Sequence, residues 1–291
     1  MQMTDIKYKK AFSMLEVIFV IVILGIVSSI GAEIIADTYK SYVIERATHR
    51  SSLKTELAAN QLANRLAYAI PGTVIGRKGT IFRAIDNFDA TDYTILEWIG
   101  YDNDSFSAQE KPGWSGFVDL YAATTTNTNL KTNGSDLSKT DTIINNLGGR
   151  GIEDSAIFFP GEYNAQNVGY NGGDNSGAIS VGAGSTGVNL AVGDLSVAHK
   201  TIEEHYKLAW SAYAVVPRDN HDGTFDLDLY YGYQPWLGET YDQANHQTLI
   251  RNISVFKFVG SDNTIRFKLC QQEKITNDKK ITICKEKAVI R

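Results

Sequence analysis

The feature that most constrains this chain is an uncharged apolar run, Val17-Ile18-Phe19-Val20-Ile21-Val22-Ile23-Leu24-Gly25-Ile26-Val27, with one carboxylate before it at Glu16 and a basic head at Lys7, Lys9 and Lys10. At about 1.5 Å of rise per residue, about 20 apolar residues in helical form cross a bilayer. Residues 12–35 satisfy that length if Glu16 lies near one interface. Basic residues flank spans on the cytoplasmic side, so the lysines hold this end inside and the remainder of the chain lies outside. A carboxylate toward the centre of a span costs about 2.5–3.5 kcal/mol on insertion scales. Glu16 therefore needs a reason that a simple anchor does not supply.

Three readings compete. One is a signal-anchor that tolerates Glu16 near the headgroups. A second is a secretory signal, with Ser28, Ser29, Gly31 and Ala32 as small residues near a cleavage site; its apolar stretch is long, and Glu16 has no role in it. The third rests on Ala11-Phe12-Ser13-Met14-Leu15-Glu16 followed by the apolar run, which resembles the class III leader of type IV pilins and type II secretion pseudopilins. The resemblance implies a prepilin peptidase that cuts between Ala11 and Phe12 and N-methylates Phe12. It also implies that the Glu16 carboxylate pairs with the Phe12 amine of a neighbouring subunit during filament assembly. The chain departs from the commonest pattern in carrying Ala11 where Gly is usual, and in lacking a proline midway along the helix, near Glu33.

The pairing has a physical basis. An unpaired carboxylate in a low-dielectric bundle is costly, while a paired one is largely compensated. Charge would then set the register between subunits and apolar surface would supply adhesion. The implied partners are the prepilin peptidase, other pilin or pseudopilin subunits and the inner membrane. The implied location is a single-pass inner-membrane protein with a periplasmic globular domain, later in a pilus or pseudopilus.

Beyond the helix there is enough chain to bury a real core. The composition, 43% hydrophobic and 11% aromatic with only five Pro, is that of a folded protein whose 25 Gly serve turns. A net charge of −5 disfavours nucleic-acid binding through a cationic field. The two cysteines, Cys270 and Cys284, sit on segments of period-two alternation, each on the polar face of its strand. In an oxidising compartment they are expected to meet across a hairpin as a disulfide. Pilins commonly carry a C-terminal disulfide loop, and two lone cysteines make a poor metal site.

The expected fold class is α+β: a pilin-like long N-terminal helix packed on an antiparallel sheet. The expected organisation is a leader over residues 1–11, a membrane or filament-core helix over 12–35, its amphipathic continuation over 36–70 and a β-rich globular domain over 71–291. No Gly or Pro interrupts residues 32–70, and Leu53, Leu57, Leu62, Leu66 and Ile70, with Ala58, describe an apolar stripe ended by Pro71-Gly72. Two helices with a kink near Gly31 are the alternative. Strands are expected at residues 80–85, 93–101 and 116–121, and Ile157-Phe158-Phe159 returns to the core after a polar loop or small insertion at 122–151. Alternation over residues 206–211 and 225–233, around the turn Asp219-Asn220-His221-Asp222-Gly223, predicts a β-hairpin. A second is expected between residues 253–258 and 265–269. No internal repeat is evident.

Other motifs carry little chemistry. Gly182-Ala183-Gly184-Ser185-Thr186-Gly187 lacks the Lys-Ser/Thr ending and the leading strand of a phosphate loop. His199 and His205, spaced by six, do not share a helix face as metal ligands would. Asp219 and Asp222 miss the calcium-loop pattern and read as turn residues. No metal or other cofactor is expected, and no nucleophile, base and orienter form a recognisable motif, so the chain is not expected to be an enzyme. By size and its late run of strands it resembles J-type pseudopilins or W-type minor pilins. The rival class is a membrane-tethered adhesin or ligand-binding module using Tyr163, Tyr170, Tyr230 and Trp236, residues that strands more often commit to packing.

Overall fold

The computed structural model describes residues 13–87, 93–106, 111–196, 200–261, 263–275 and 279–290. Its architecture is α+β and pilin-like, a long N-terminal helix followed by a large antiparallel sheet. Helix α1, Met14–Leu66, is continuous through Gly25 and Gly31, so the chain has one helix here and not two; at about 1.5 Å per residue it is about 80 Å long. Ser13 caps it, its hydroxyl accepting from the Glu16 amide at 3.3 Å. The helix stops at Leu66, short of the expected Ile70, because the backbone then turns to pair: Ala69 bridges Gly100 and the Ile70 amide donates to the Ile99 carbonyl at 2.9 Å.

The helical stripe also differs from expectation. The buried positions are Ser51, Thr55, Ala58, Ala59, Leu62 and Leu66, while Leu53 and Leu57 are each 54% exposed. Two residues turn a helix by about 200°, which puts Leu53 and Leu57 opposite Ser51 and Thr55. The smaller side chains Ser51, Ala58 and Ala59 face the sheet instead. Ser51 and Thr55 donate to the Gln271 amide oxygen at 2.9 and 3.3 Å.

The sheet begins with β1 (Ile75–Lys78), β2 (Ile81–Ala84) and β3 (Ile95–Gly100). An insertion then holds α2 (Asn103–Phe106), β4 (Asn129–Lys131), α3 (Leu137–Gly148), β5 (Ala156–Phe158), β6 (Ile179–Ser180), β7 (Asn189–Ala191) and β8 (Lys207–Ala209). The main sheet resumes with β9 (Ser211–Asp219), β10 (Phe225–Tyr233), β11 (Asn245–Ser261), β12 (Thr264–Lys274) and β13 (Lys280–Ile290), in the order β13-β12-β11-β10-β9-β3-β1-β2. Period two divides its side chains: Leu96, Trp98 and Val215 join the helix core, while Ile95, Ile99, Ala212 and Ala214 join a core with Phe158, Tyr170 and Trp236 from the other side. The helix thus covers one face and the insertion the other.

β3 and β9 are paired from Leu96↔Val215 to Gly100↔Ser211, so everything from Tyr101 to Trp210 occupies the place of one hairpin turn. The insertion has its own core, including Trp114, Leu130, Leu137, Ile157 and Leu190. The expected strand at 116–121 is reduced to one bridge, Phe117↔His205, and the polar stretch 122–151 holds β4 and α3. The turn at Asp219–Gly223 is present, but its N-terminal arm is β9 and not residues 206–211. Pro217 lies beyond the last β3–β9 pair, where a missing amide hydrogen breaks no ladder to β3.

The insertion also contains a short duplication that its pairing makes apparent. Residues 122–131 and 182–191 share Ala123/Ala183, Thr126/Thr186, Asn129/Asn189 and Leu130/Leu190. In each copy the Thr amide donates to the Asn carbonyl, at 2.7 and 3.0 Å. The copies face each other about Leu130↔Leu190, with reciprocal bonds from Val192 to Thr128 (3.0 Å) and from Thr132 to Val188 (2.7 Å). The glycine-rich segment 182–187 is therefore half of a paired turn structure.

Cys270 and Cys284 are disulfide-bonded directly across β12–β13, with Cα atoms 4.0 Å apart. Closing a loop of this length contributes about 3 kcal/mol in the chain-entropy model. Cys270 is buried despite sharing a face with Arg266 and Lys268, and Cys284 is exposed.

Candidate functional site

The first half of α1 is bare. Met14, Leu15 and every apolar residue from Val17 to Leu24 are exposed, as are Ile26, Val27, Ile30, Ile34 and Ile35. The most apolar 18-residue window has a mean hydropathy of 2.6, and none of it is buried. So large an apolar surface requires lipid or other helices around it. Asp37 and Lys40 form an ion pair at 3.3 Å just beyond it, beside exposed Tyr39 and Tyr42. Aromatic and charged residues at this depth suit a membrane–water boundary, a signal also present in the sequence.

Glu16 sits in the first turn of α1 and is exposed. Helix N-termini carry partial positive charge, which favours a carboxylate there. Ala11 and Phe12 lie outside the described residues. The local design is therefore a capped helix start, one acidic group and a long uncovered apolar cylinder.

Residues 6–32 match the family described as the Prokaryotic N-terminal methylation motif. The chain carries a prepilin-type amino-terminal methylation motif. No curated protein and no solved structure matches the chain. The motif implies processing by a peptidase and assembly with other pilin subunits, and it suggests a structural subunit rather than an enzyme. Together with the apolar N-terminal helix it fits a single-pass membrane anchor.

The globular domain holds candidate chemistry of its own. It buries an ion pair between Arg77 and Glu97, with side chains 3% and 2% exposed and Nε to Oε2 at 2.6 Å. Tyr233 donates to the other Glu97 oxygen at 3.0 Å, and Arg77 also donates to Asn171, whose amide in turn donates to the Thr80 carbonyl at 2.6 Å. Burial pushes the Glu97 carboxyl above its ordinary value, and Arg77 beside it pulls the other way. Perturbed carboxylates mark candidate active sites, yet both oxygens of this one accept from groups of the fold itself, Arg77 and Tyr233. It fastens the insertion to β1 and β3.

Asp102, where the insertion leaves β3, is the second perturbed carboxyl. Burial raises it from 3.8 to about 6, against an opposing bond from Ser105. Its Oδ1 accepts from the Ser105 amide at 3.1 Å and its carbonyl accepts from the Trp114 indole at 2.8 Å.

The remaining candidates are structural. Tyr170 and Trp236 are buried, bonded to the Thr73 and Asp154 carbonyls at 2.7 and 2.9 Å. Tyr163 packs edge-on to Phe158, and Tyr230 stacks on His246. None of these four is a free platform for a ligand. Asp219 and Asp222 cap their turn by accepting from the His221 and Thr224 amides. His205 bridges Phe117, and His199 lies outside the described residues. Among the described residues no group of three potential metal ligands occurs.

Proposed function

We propose that the chain is a minor pilin or pseudopilin, a structural subunit of a type IV pilus or a type II secretion pseudopilus. The observation that carries this is the methylation motif lying on a helix whose apolar half has no cover among the described residues. In this reading the leader, residues 1–11, is removed between Ala11 and Phe12. Residues 12–35 then pass from the inner membrane into the filament core, with Glu16 paired to a neighbour's Phe12 amine. Residues 36–70 continue toward the globular domain, 71–291, in the periplasm.

The insertion between β3 and β9 favours a minor subunit, because a subunit repeated along a filament must clear its neighbours at every step. Size and the late strands favour a J-type pseudopilin or W-type minor pilin. Substituting Glu16→Val tests the reading. The variant is expected to insert in the membrane and lose its leader as the wild type does, yet fall at least about tenfold in recovery with sheared filaments or cross-linked sibling subunits, a factor equal to about 1.4 kcal/mol. Incorporation equal to wild type would refute the pairing.

A further inference from the structure

A cleft of about 440 Å³ opens where three parts of the molecule meet: the C-terminal end of α1, the main sheet and the start and finish of the insertion. Small-molecule sites occupy clefts of about 300–1,000 Å³ with a few convergent polar groups. Tyr68, Tyr101, Tyr213 and Trp210 supply its aromatic surface. The floor depends on absent side chains: a Cβ on Gly100 would stand 2.8 Å from the Tyr213 ring, and one on Gly148 would stand 2.6 Å from the Trp210 ring. Tyr213 and Tyr101 already have cations over them, Arg65 at 5.4 Å and Lys207 at 4.6 Å. Tyr68 does not. It is 39% exposed, and among the described residues its one ring contact is edge-on with Tyr101 at 5.5 Å.

The polar lining narrows the ligand class. Gln61, Asn64, Asn103, Gln247 and Thr248 offer both donors and acceptors, and among the described residues none of these side chains holds an intramolecular hydrogen bond. The charged groups are of both signs, Arg65 against Asp102 and Asp104. An anion would meet two carboxylates, a cation would meet Arg65, and no three-ligand metal group is present among the described residues. A purely apolar ligand would strand the amides without partners. What fits is an uncharged molecule with hydroxyls around its edge and an apolar C–H face for Tyr68. We propose that this cleft binds a neutral saccharide, with Tyr68 as the stacking surface and Asn64 and Gln247 as hydroxyl-reading groups.

The cleft lies about 40 Å along α1 beyond its apolar half, so a filament core built from that half leaves it outside. The proposal stands on the cleft alone and survives if the filament reading fails. It is tested with the full chain in a zwitterionic detergent, since alkyl glycosides would compete. The probes are glucose, galactose, N-acetylglucosamine and N-acetylgalactosamine, with their β1,4-linked disaccharides, followed by tryptophan fluorescence and saturation-transfer NMR. At least one probe is expected to bind saturably, and Tyr68→Ala and Asn64→Ala are each expected to weaken it about tenfold or more. Gln166→Ala, on a different surface, should leave binding unchanged. Both rim residues are exposed, so unchanged melting temperatures confirm that the variants fold. Absence of binding by every probe, binding indifferent to both rim substitutions, or preferential capture of arginine or phosphate at the cleft would each overturn the proposal.

Discussion

Glu97→Gln is expected to lower the unfolding free energy of the globular domain by about 3–5 kcal/mol, the usual cost of removing one partner of a buried ion pair. A guanidinium keeps its charge inside a protein, so the substitution leaves a positive charge 3% exposed, facing Asn171, the neutral amide and the rings of Phe82 and Tyr241. The reverse substitution is milder. In Arg77→Met the orphaned Glu97 carboxyl, already raised by burial, takes up a proton and becomes neutral. Its penalty should therefore shrink as pH falls, whereas that of Glu97→Gln should not. Pairing Arg77→Met with Glu97→Leu should recover most of the loss. Urea unfolding followed by tryptophan fluorescence measures all three. A Glu97→Gln variant within about 1 kcal/mol of wild type would show that the pair contributes no more than an exposed one.

Asp102→Asn should act in the opposite direction, and its effect should depend on pH. The folded-state value of about 6 exceeds the ordinary 3.8, so between these values the folded chain binds the proton more tightly than the unfolded chain. The stabilisation from this group is complete below pH 3.8, declines as pH rises and is absent above about pH 6. The difference corresponds to roughly 3 kcal/mol at about 1.36 kcal/mol per pH unit. Asparagine keeps an acceptor for the Ser105 amide and is as good a cap for α2, but it has no charge to bury. The variant should be more stable than wild type at pH 7.5 by up to about 3 kcal/mol, and close to it at pH 4. A stability difference that stays constant across that range would contradict the burial account of Asp102.

What was legible in the sequence was whatever repeats over short distances. The apolar run of the helix, the strand at 225–233, the Asp219–Gly223 turn and the opposition of Cys270 to Cys284 each declare themselves within about fifteen residues. The sheet-facing side of α1 did not, because Leu53 and Leu57 are the more apolar residues while Ser51, Thr55 and Ala59 are chosen for closeness to β12 and its neighbours. β9 escapes the sequence because the alternation over residues 206–211 mimics the first arm of the hairpin. Within the insertion β4, α3 and β7 are not legible in the sequence, because core residues such as Trp114, Leu130 and Leu190 stand singly in polar sequence and meet only in three dimensions.

The candidate site divides in the same way. The lysines, Glu16 and the apolar run lie within residues 7–27, so the expectation built on them needs no tertiary structure. Arg77, Glu97, Asn171 and Tyr233 share no spacing rule, and neither do Asn64, Tyr68 and Gln247 around the cleft. Tertiary structure alone brings such groups together, and no period-two or period-3.6 pattern encodes them.

Central to this account is an amino terminus made on the cytoplasmic side of the membrane, without loss of the apolar helix. Intact-mass and N-terminal peptide mass spectrometry of the chain purified from its native membrane tests that most directly. The expected result is a chain that begins at Phe12, with its amine methylated and residues 13–35 retained. A chain that keeps Met1, or one cut beyond Ala32, would contradict the filament reading and leave a tethered or released binding domain in its place.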